Sequence, residues 1–295
     1  MHATVTGTDG WRALVAAVPG GVRLIATDLD GTLLRPDNTV SPRTVEAFRA
    51  AREAGLPVVF VTGRPPRWLP PVVEATGHAG IGVCANGALV VDLDTHAVLE
   101  THPIPYAVVA ETVAVLRAEV EGIAFAVEWD SPDGDDDFAH EPSYRARYRV
   151  AGVEHGDILK LAARHPVIKL LARVDGGAHP ARYDVDALLE TTLGHVSHLV
   201  TATHSASDDV LIEMSAPGVS KGAALAHQAS RLGIPLASAV AVGDMPNDIP
   251  MLAEAGVGLA VETGHHAVRA AADALLPGPA DDGLAQLVEA VLAPR

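Results

Sequence analysis

A single cysteine, Cys84, stands in 295 residues. An intramolecular disulfide is therefore impossible and a zinc site built from cysteines is excluded, which fits a reducing, cytoplasmic setting. Aromatic residues make up only 4% of the chain, and 21 Lys and Arg face 37 Asp and Glu, a formal charge of −16. That imbalance repels polyanions, so neither nucleic acid nor an anionic membrane surface is expected as a partner. An anionic small molecule remains compatible wherever a cation is held locally. No apolar run reaches the roughly 18 residues of a membrane-spanning helix. The opening MHATVTGTDGWRALVAAVPGG has a short apolar patch with no basic segment before it. It reads as an N-terminal extension over 1–22 with one short helix rather than a secretory signal.

What is present is enough apolar material for a sizeable core: 48% of residues, with 27 Gly and 21 Pro spread along the chain. At roughly 150 residues per domain, about two domains are expected. VRLIATDLD reads as a strand. SPRTVEAFRAAREAG follows as a helix, started by Ser41 and Pro42 and stopped by Gly55, and LPVVFVTGR is a second strand. Strand, helix, strand predicts a right-handed parallel unit. The same order returns late, with SKGAALAHQASRLG helical, LASAVAVGD a strand, NDIPMLAEAG a helix and VGLAV a strand, before the helices GHHAVRAAADA and DDGLAQLVEAVL. The fold class is thus α/β, with residues 23–86 and 216–295 forming one doubly wound, Rossmann-like parallel sheet.

Residues 87–215 read as a mixed α/β module inserted into that domain. It begins with a hairpin (NGALVVD, AVLETH) and a helix near 106–120, then the strand GIAFAVEW and the acidic loop DSPDGDDDFAHEP. A helix near 157–163, the strand VIKLLARV, the helix DVDALLETTL and strands near 195–203 and 209–214 complete it. Hinges are expected at Asn86–Gly87 and Ala216–Ser220.

Chemistry concentrates where the parallel strands end. Asp28 and Asp30 close the first strand, Thr62 the second, Lys221 opens a helix, and Asp244 with Asn247 and Asp248 follows the late strand. Ligands of open parallel sheets sit beyond the carboxyl ends of the strands. Carboxylates crowded there need a hard divalent cation with oxygen ligands, which points to Mg²⁺. Phosphoryl transfer uses such a set. Asp28 is the candidate nucleophile and Asp30 the acid/base. Gly31 permits the sharp turn that brings backbone N–H groups to the phosphoryl oxygens. Thr62 and Lys221 are placed to offset its charge, and Asp244 to hold the metal, with Asp248 one helical turn further on as its support.

DLDGT (28–32), VFVTGR (59–64), GVSKGAAL (218–225) and GDMPNDIPML (243–252) resemble the four motifs of the haloacid dehalogenase superfamily of phosphohydrolases. Their order, with a module between the second and third, is similar to the Cof-type branch (subfamily IIB), whose members carry a C2 cap. The resemblance implies the roles just given, with metal ligation by the Asp28 and Asp244 carboxylates and the Asp30 main-chain carbonyl. It also implies that Asn247 touches the phosphoryl group or its lysine. Gly63, Arg64, Asn86 and Gly87 join Gly31 and Asn247 as expected phosphate or substrate contacts, and Asp248 joins Asp28, Asp30 and Asp244 on the metal side. The expected activity is Mg²⁺-dependent hydrolysis of small phosphate monoesters, such as sugar phosphates, through an aspartyl phosphate. The expected partner is a small phosphorylated metabolite, and the chain is expected to act as a monomer or homodimer.

Other readings remain open. A phosphomutase would return the phosphoryl group to a sugar, and a non-catalytic sugar-phosphate sensor would bind without turnover. A receiver domain also uses an aspartate, a threonine and a lysine, but has no inserted module. A second DLD at 92–94 lacks the following Gly-Thr and reads as a turn, and DGDDD lacks the spacing of a calcium loop. His195, His198 and His204 are a weak zinc candidate. In YRARYRV, Arg145, Arg147 and Arg149 alternate as in a half-exposed strand or, in the alternative, reach a substrate.

Overall fold

The computed structural model describes residues 10–130, 137–146, 153–174, 184–206 and 209–294. Its contacts divide the chain into two units, one comprising residues up to Leu99 and from Ser220 onward, the other Glu100–Val219.

The first unit starts with α1 (Gly10–Ala17), whose Trp11 is fully buried, followed by β1 (Leu24–Thr27). In α2 (Pro42–Glu53) the Ser41 hydroxyl accepts the Thr44 N–H and proline occupies the first turn; Gly55, at φ +70°, takes the left-handed turn beyond the helix. Then come β2 (Val58–Val61), α3 (Pro70–Thr76), β3 (Ile81–Cys84), β4 (Leu89–Asp92) and β5 (Val98–Thr101).

The second unit runs α4 (Tyr106–Glu119), β6 (Ile123–Trp129), β7 (Phe138–His140), β8 (Glu154–His155), α5 (Ile158–Ala162), β9 (Val167–Val174), α6 (Val185–Val196), β10 (Thr201–Thr203) and β11 (Leu211–Ser215). The chain then returns through α7 (Lys221–Arg231), β12 (Ala239–Gly243), α8 (Ile249–Glu254), β13 (Val257–Val261), α9 (His266–Ala271), β14 (Ala274–Leu276) and α10 (Gly283–Leu292).

The core sheet has eight strands in the order β14-β13-β12-β1-β2-β3-β4-β5. From β14 to β3 every pairing is parallel. Thr27 lies beside Val242 on one side and Phe60 on the other, so the carboxyl ends of β12, β1 and β2 are level. The order reverses at β1, where a doubly wound sheet opens its crevice. Short β-rich runs such as LIAT and VVFV are buried along their whole length, as strands covered on both faces require.

Two expectations change in this unit. The hairpin assigned to the inserted module extends the core sheet instead: Cys84 pairs antiparallel with Leu89 across the tight turn at Ala85–Gly87, so the chain leaves the first unit after Leu99 and not at Asn86–Gly87. The return at Val219/Ser220 falls within the expected second crossing. Finally, the helix predicted over GHHAVRAAADA stops at Ala271, and Ala274–Leu276 pairs with β13 as the edge strand. An alanine-rich run carries little strand signal of its own; the open sheet edge decides its conformation.

Among the described residues of the second unit, six strands lie in the order β10-β11-β9-β6-β7-β8, and of these pairings only β7 with β8 is parallel. Phe125, Val127, Leu170, Ala172 and Ile212 share a core with Val113 and Leu116 of α4 and Leu188 of α6. The acidic loop is shorter than expected, because Phe138–His140 pairs with β6; its residues 131–136 lie outside the described ones. So do residues 147–150 of YRARYRV, while Tyr144 to Ala146 form no strand. Helix α6 runs through His195 to Val196, so that histidine is helical and not in a strand. His204 bonds Asp186 at 3.1 Å and the Ala206 carbonyl at 3.2 Å. The second DLD is a turn, with Asp92 accepting the N–H groups of Asp94 and Thr95. Among the described residues no helix is long and apolar enough to cross a membrane.

Candidate active site

The residues brought together here lie in the first unit. Asp28 continues β1 by one residue, its N–H donating to the Val242 carbonyl at 3.0 Å. Lys221 opens α7, a start fixed by the Ser220 hydroxyl, which accepts the Ala223 N–H. Its ammonium is 1% exposed and donates to Asp28 Oδ1 and Asp248 Oδ1, each at 2.6 Å. The other oxygen of Asp248 accepts the N–H groups of Asp244 and Met245, both at 2.9 Å. Asp248 is thus an anchor between the lysine and the loop that carries Asp244.

Two glycines make this close packing possible. At Gly31, φ is +75° and a Cβ would stand 2.3 Å from Asp244 Oδ2. At Gly243 a Cβ would stand 2.4 Å from the Asp248 side chain. Thr32, which the sequence reading left without a role, donates its hydroxyl to Asp244 Oδ1 at 2.9 Å. Its position directly after Asp-Gly was the available signal. A hydroxyl there can point back to the strand ends.

Asp28, Asp244 and Asp248 are all buried, and one oxygen of each lies within 4.8 Å of the others. One ammonium cannot balance three carboxylates, and the protonation behaviour registers this. Burial raises Asp28 well above the ordinary carboxylate range; Lys221 pulls it back only in part, and Asp248, Asp244 and Asp30 push it further up. Burial, followed by the charge of Asp248, pushes Asp244 up to about 7 against the lowering by Thr32 and Lys221. Burial alone would lower Lys221, but Asp248 and Asp28 outweigh it and hold the ammonium above the usual lysine value.

The resemblance implies a divalent cation, and this donor set fits one. The second oxygens of Asp28 and Asp244 accept no hydrogen bond among the described residues, and hard carboxylate oxygens match a small, hard cation. Asp248 reaches the group with oxygens already shared by Lys221 and two amides. The Asp30 side chain lies outside the group and is 54% exposed.

Thr62 ends β2, its N–H on the Val83 carbonyl at 2.8 Å, and its hydroxyl oxygen accepts the Arg64 N–H at 3.1 Å. Gly63 joins the two in the same turn. Beyond β3, Ala85, Asn86 and Gly87 have φ of +49°, +58° and +106° in succession. Such a run is costly for residues with a Cβ and is held here by contacts: Asn86 N–H donates to the Thr62 carbonyl at 3.0 Å, and Gly87 packs where a Cβ would stand 2.6 Å from the Ser220 carbonyl. Asn247 Nδ2 donates to Asn86 Oδ1 at 3.0 Å, while Asn247 Oδ1 is buried with no donor among the described residues. Arg64, expected as a substrate contact, pairs with Asp30 and reaches Asn38. Asn38 was not anticipated.

The family model for haloacid dehalogenase-like hydrolases matches residues 25–288. The chain belongs to the haloacid dehalogenase-like hydrolases. Within that superfamily it falls in the Cof-type branch and is a phosphoric monoester hydrolase. The pyridoxal phosphate phosphatase YbhA of Escherichia coli is 28% identical over 282 residues, covering 90% of this chain and 97% of the relative. The 5-amino-6-(5-phospho-D-ribitylamino)uracil phosphatase YcsE of Bacillus subtilis is 25% identical and covers 90% and 94%. The fold recurs in the phosphatase BT1666 of Bacteroides thetaiotaomicron, with a TM-score of 0.74 at 22% identity over 92% of this chain and 95% of that one. It recurs also in the subclass IIB sugar phosphatase BT4131, with a TM-score of 0.73 at 19% identity over 90% and 98%.

Proposed function

We propose that this hydrolase cleaves small phosphate monoesters of metabolites in a magnesium-dependent reaction through an aspartyl phosphate on Asp28. The observation that carries the reading is the buried Asp28, held by Lys221 at 2.6 Å beside Asp244 at the level carboxyl ends of β1 and β12. A nucleophile needs one oxygen held and the other available, and Asp28 meets that condition.

Asp28 attacks phosphorus while the ester P–O bond breaks, and Asp30 gives its proton to the departing oxygen. Asp30 then takes a proton from the water that attacks the phosphoryl group, freeing phosphate and restoring Asp28. Lys221 and the Thr62 hydroxyl offset charge on the phosphoryl oxygens; the N–H groups of Thr32, Leu33 and Leu34, after Gly31, are taken up by the Leu29 carbonyl. Asn247, through its unpartnered Oδ1, and Asn86 and Gly87 border the same space. Asp28 and Asp244, steadied by Thr32 and Asp248, would hold Mg²⁺, with the Asp30 main-chain carbonyl beside them. When bound, the ion supplies Lewis-acid charge stabilisation at the phosphoryl group. The second unit is assigned the choice of leaving group. The relatives named above act on phosphorylated small molecules of different kinds, so sugar phosphates and pyridoxal phosphate both belong in a substrate panel.

The test is phosphate release from p-nitrophenyl phosphate and then from that panel, with and without Mg²⁺. The expected result is release that needs the metal and falls by about 10³-fold or more in Asp28→Asn, the scale on which loss of a covalent nucleophile acts. Activity in Asp28→Asn equal to wild type would refute the assignment.

A further inference from the structure

The guanidinium of Arg64 closes on Asp30. Nε donates to Oδ2 at 2.7 Å, Nη2 donates to Oδ1, and Nη2 also reaches Asn38 Oδ1 at 3.0 Å. The backbone of Arg64 is fixed on both sides: its N–H donates to the Thr62 hydroxyl at 3.1 Å, and its carbonyl accepts the Ala85 N–H at 3.0 Å. The fork therefore stands on the turn that carries Thr62. Asp30 sits in a loop closed by the N–H groups of Leu33 and Leu34 on the Leu29 carbonyl, and its side chain is 54% exposed against 16% for Arg64. An exposed carboxylate on a loop has several rotamers open to it. A planar two-point contact selects one of them. Ion pairs this exposed add little to folding stability, so the arrangement is better accounted for by where it puts Asp30.

We propose that Arg64 is a positioning residue, which aims the Asp30 carboxyl at the leaving oxygen and does not itself bind substrate. The inference rests on the acid/base reading of Asp30. When the carboxyl is protonated, one oxygen keeps an N–H of the fork and the other presents its hydrogen along a fixed line. A carboxyl released from the fork delivers that hydrogen late, and the rate then leans more on the stability of the departing anion.

The experiment is kcat/KM, with kcat and KM resolved, for ring-substituted phenyl phosphates from phenyl to p-nitrophenyl, in wild type, Arg64→Lys, Arg64→Ala, Asp30→Asn and the double variant. Arg64→Ala is expected to lose about tenfold on phenyl phosphate and less than about threefold on p-nitrophenyl phosphate, a modest part of the roughly 10²–10⁴-fold worth of a general acid. Arg64→Lys, with the charge but not the fork, falls between wild type and Arg64→Ala. Asp30→Asn shows a larger loss with the same skew, and adding Arg64→Ala to it steepens the series no further. Equal losses across the series, a change confined to KM, or full additivity in the double variant would overturn the proposal. If Asp30→Asn itself shows no skew, the acid role of Asp30 falls and the proposal with it. If Asp30→Asn shows the skew and Arg64→Ala does not, the proposal alone falls. Arg64→Lys, read against the same series, decides the matter if Arg64→Ala does not fold.

Discussion

Lys221 in the first unit and Lys169 in the second are each buried between two carboxylates. Lys169, 4% exposed, has Glu213 at 2.8 Å and Glu128 at 3.6 Å. Its partners come from neighbouring strands in the middle of a sheet, Glu128 directly opposite it on β6 and Glu213 on β11. They form a cross-strand ladder of charges that completes a sheet face. Lys221 takes its partners from chain positions 193 and 27 residues away, all at strand ends where loops converge. A third carboxylate, Asp244, is added there, with Lys221 the one cation bonded to the group among the described residues. A buried lysine between acids is thus not diagnostic of catalysis. Its location at the carboxyl edge of parallel strands, with negative charge left over, is.

The two lysines should differ most when each ammonium group is removed in turn. Lys221→Met should lower kcat by about 10³-fold, as loss of a donor to developing transition-state charge does. Lys169→Met should instead destabilise the fold by about 3–5 kcal/mol, the cost of stranding buried charges, and leave kcat per folded molecule within about threefold. Urea midpoints measured alongside kcat separate the two. A Lys169→Met enzyme of normal stability and lost turnover would erase the distinction.

Two glycines sharpen it next. Gly31 and Gly122 have nearly the same backbone, φ +75° and +76°, but a Cβ on Gly31 would meet Asp244 at 2.3 Å and one on Gly122 would meet nothing within 4 Å. Gly122→Ala should cost only the left-handed strain of about 1–2 kcal/mol, with unchanged kinetics. Gly31→Ala should add a misplacement near the chemistry, worth about 10²-fold in kcat, and require more Mg²⁺ for half-maximal rate. Thermal melting and a magnesium titration of both variants are the measurements.

The same contrast explains what could be read without coordinates. The catalytic strand ends were legible because short, mostly apolar runs such as LIAT and VVFV stop at polar residues, and because Asp-x-Asp-Gly-Thr is a dense local signal. The strand Ala274–Leu276 was not, since its conformation is imposed by the free edge of β13. Nor was the place of the β4–β5 hairpin, because alternation gives a strand its faces and not its neighbour. Arg64 shows the limit within the site itself. Its position in the VTGR motif put it beside the phosphate pocket, but which group its long side chain would grip depends on Asp30 and Asn38, from a separate loop.

A third measurement uses pH. The folded value of Asp244, about 7, lies above its ordinary 3.8. An acid raised on folding stabilises the fold while protonated in it, so in chelator the contribution of Asp244 declines as pH rises from about 4 to 7 and is flat above. Asp28 is shifted in the same direction. Magnesium must displace such protons, so its effect runs the other way. The rise in Tm on adding Mg²⁺ should be largest near pH 8, corresponding to about 2.7 kcal/mol at a hundredfold excess over Kd, and should shrink below pH 6. Lys169 is raised from 10.5, burial being outweighed by Glu213 and Glu128, so its contribution is lost only above pH 10 and does not vary in this window. A metal-induced Tm rise independent of pH would remove Asp244 from the ion's surroundings.

The smallest expected difference lies between two buried threonines. Thr32 gives its hydroxyl to the Asp244 carboxylate at 2.9 Å, and Thr192 gives its own to the Leu188 carbonyl one helical turn back at 2.8 Å. Valine has the same shape and no hydroxyl, so each Thr→Val change removes one hydrogen bond and little volume. A bond to a charged acceptor is worth about 1.5–3 kcal/mol and a neutral one about 1. Thr192→Val should therefore cost about 1 kcal/mol of stability and leave the kinetics unchanged. Thr32→Val should lower kcat by about tenfold and weaken magnesium activation, because Asp244 loses the donor that fixes its rotamer. Thr32→Ser, which keeps the hydroxyl, should recover most of both. If Thr32→Val behaved like Thr192→Val, the hydroxyl would be only a packing group, and Gly31 and the peptide of Asp248's loop would alone hold Asp244 in place.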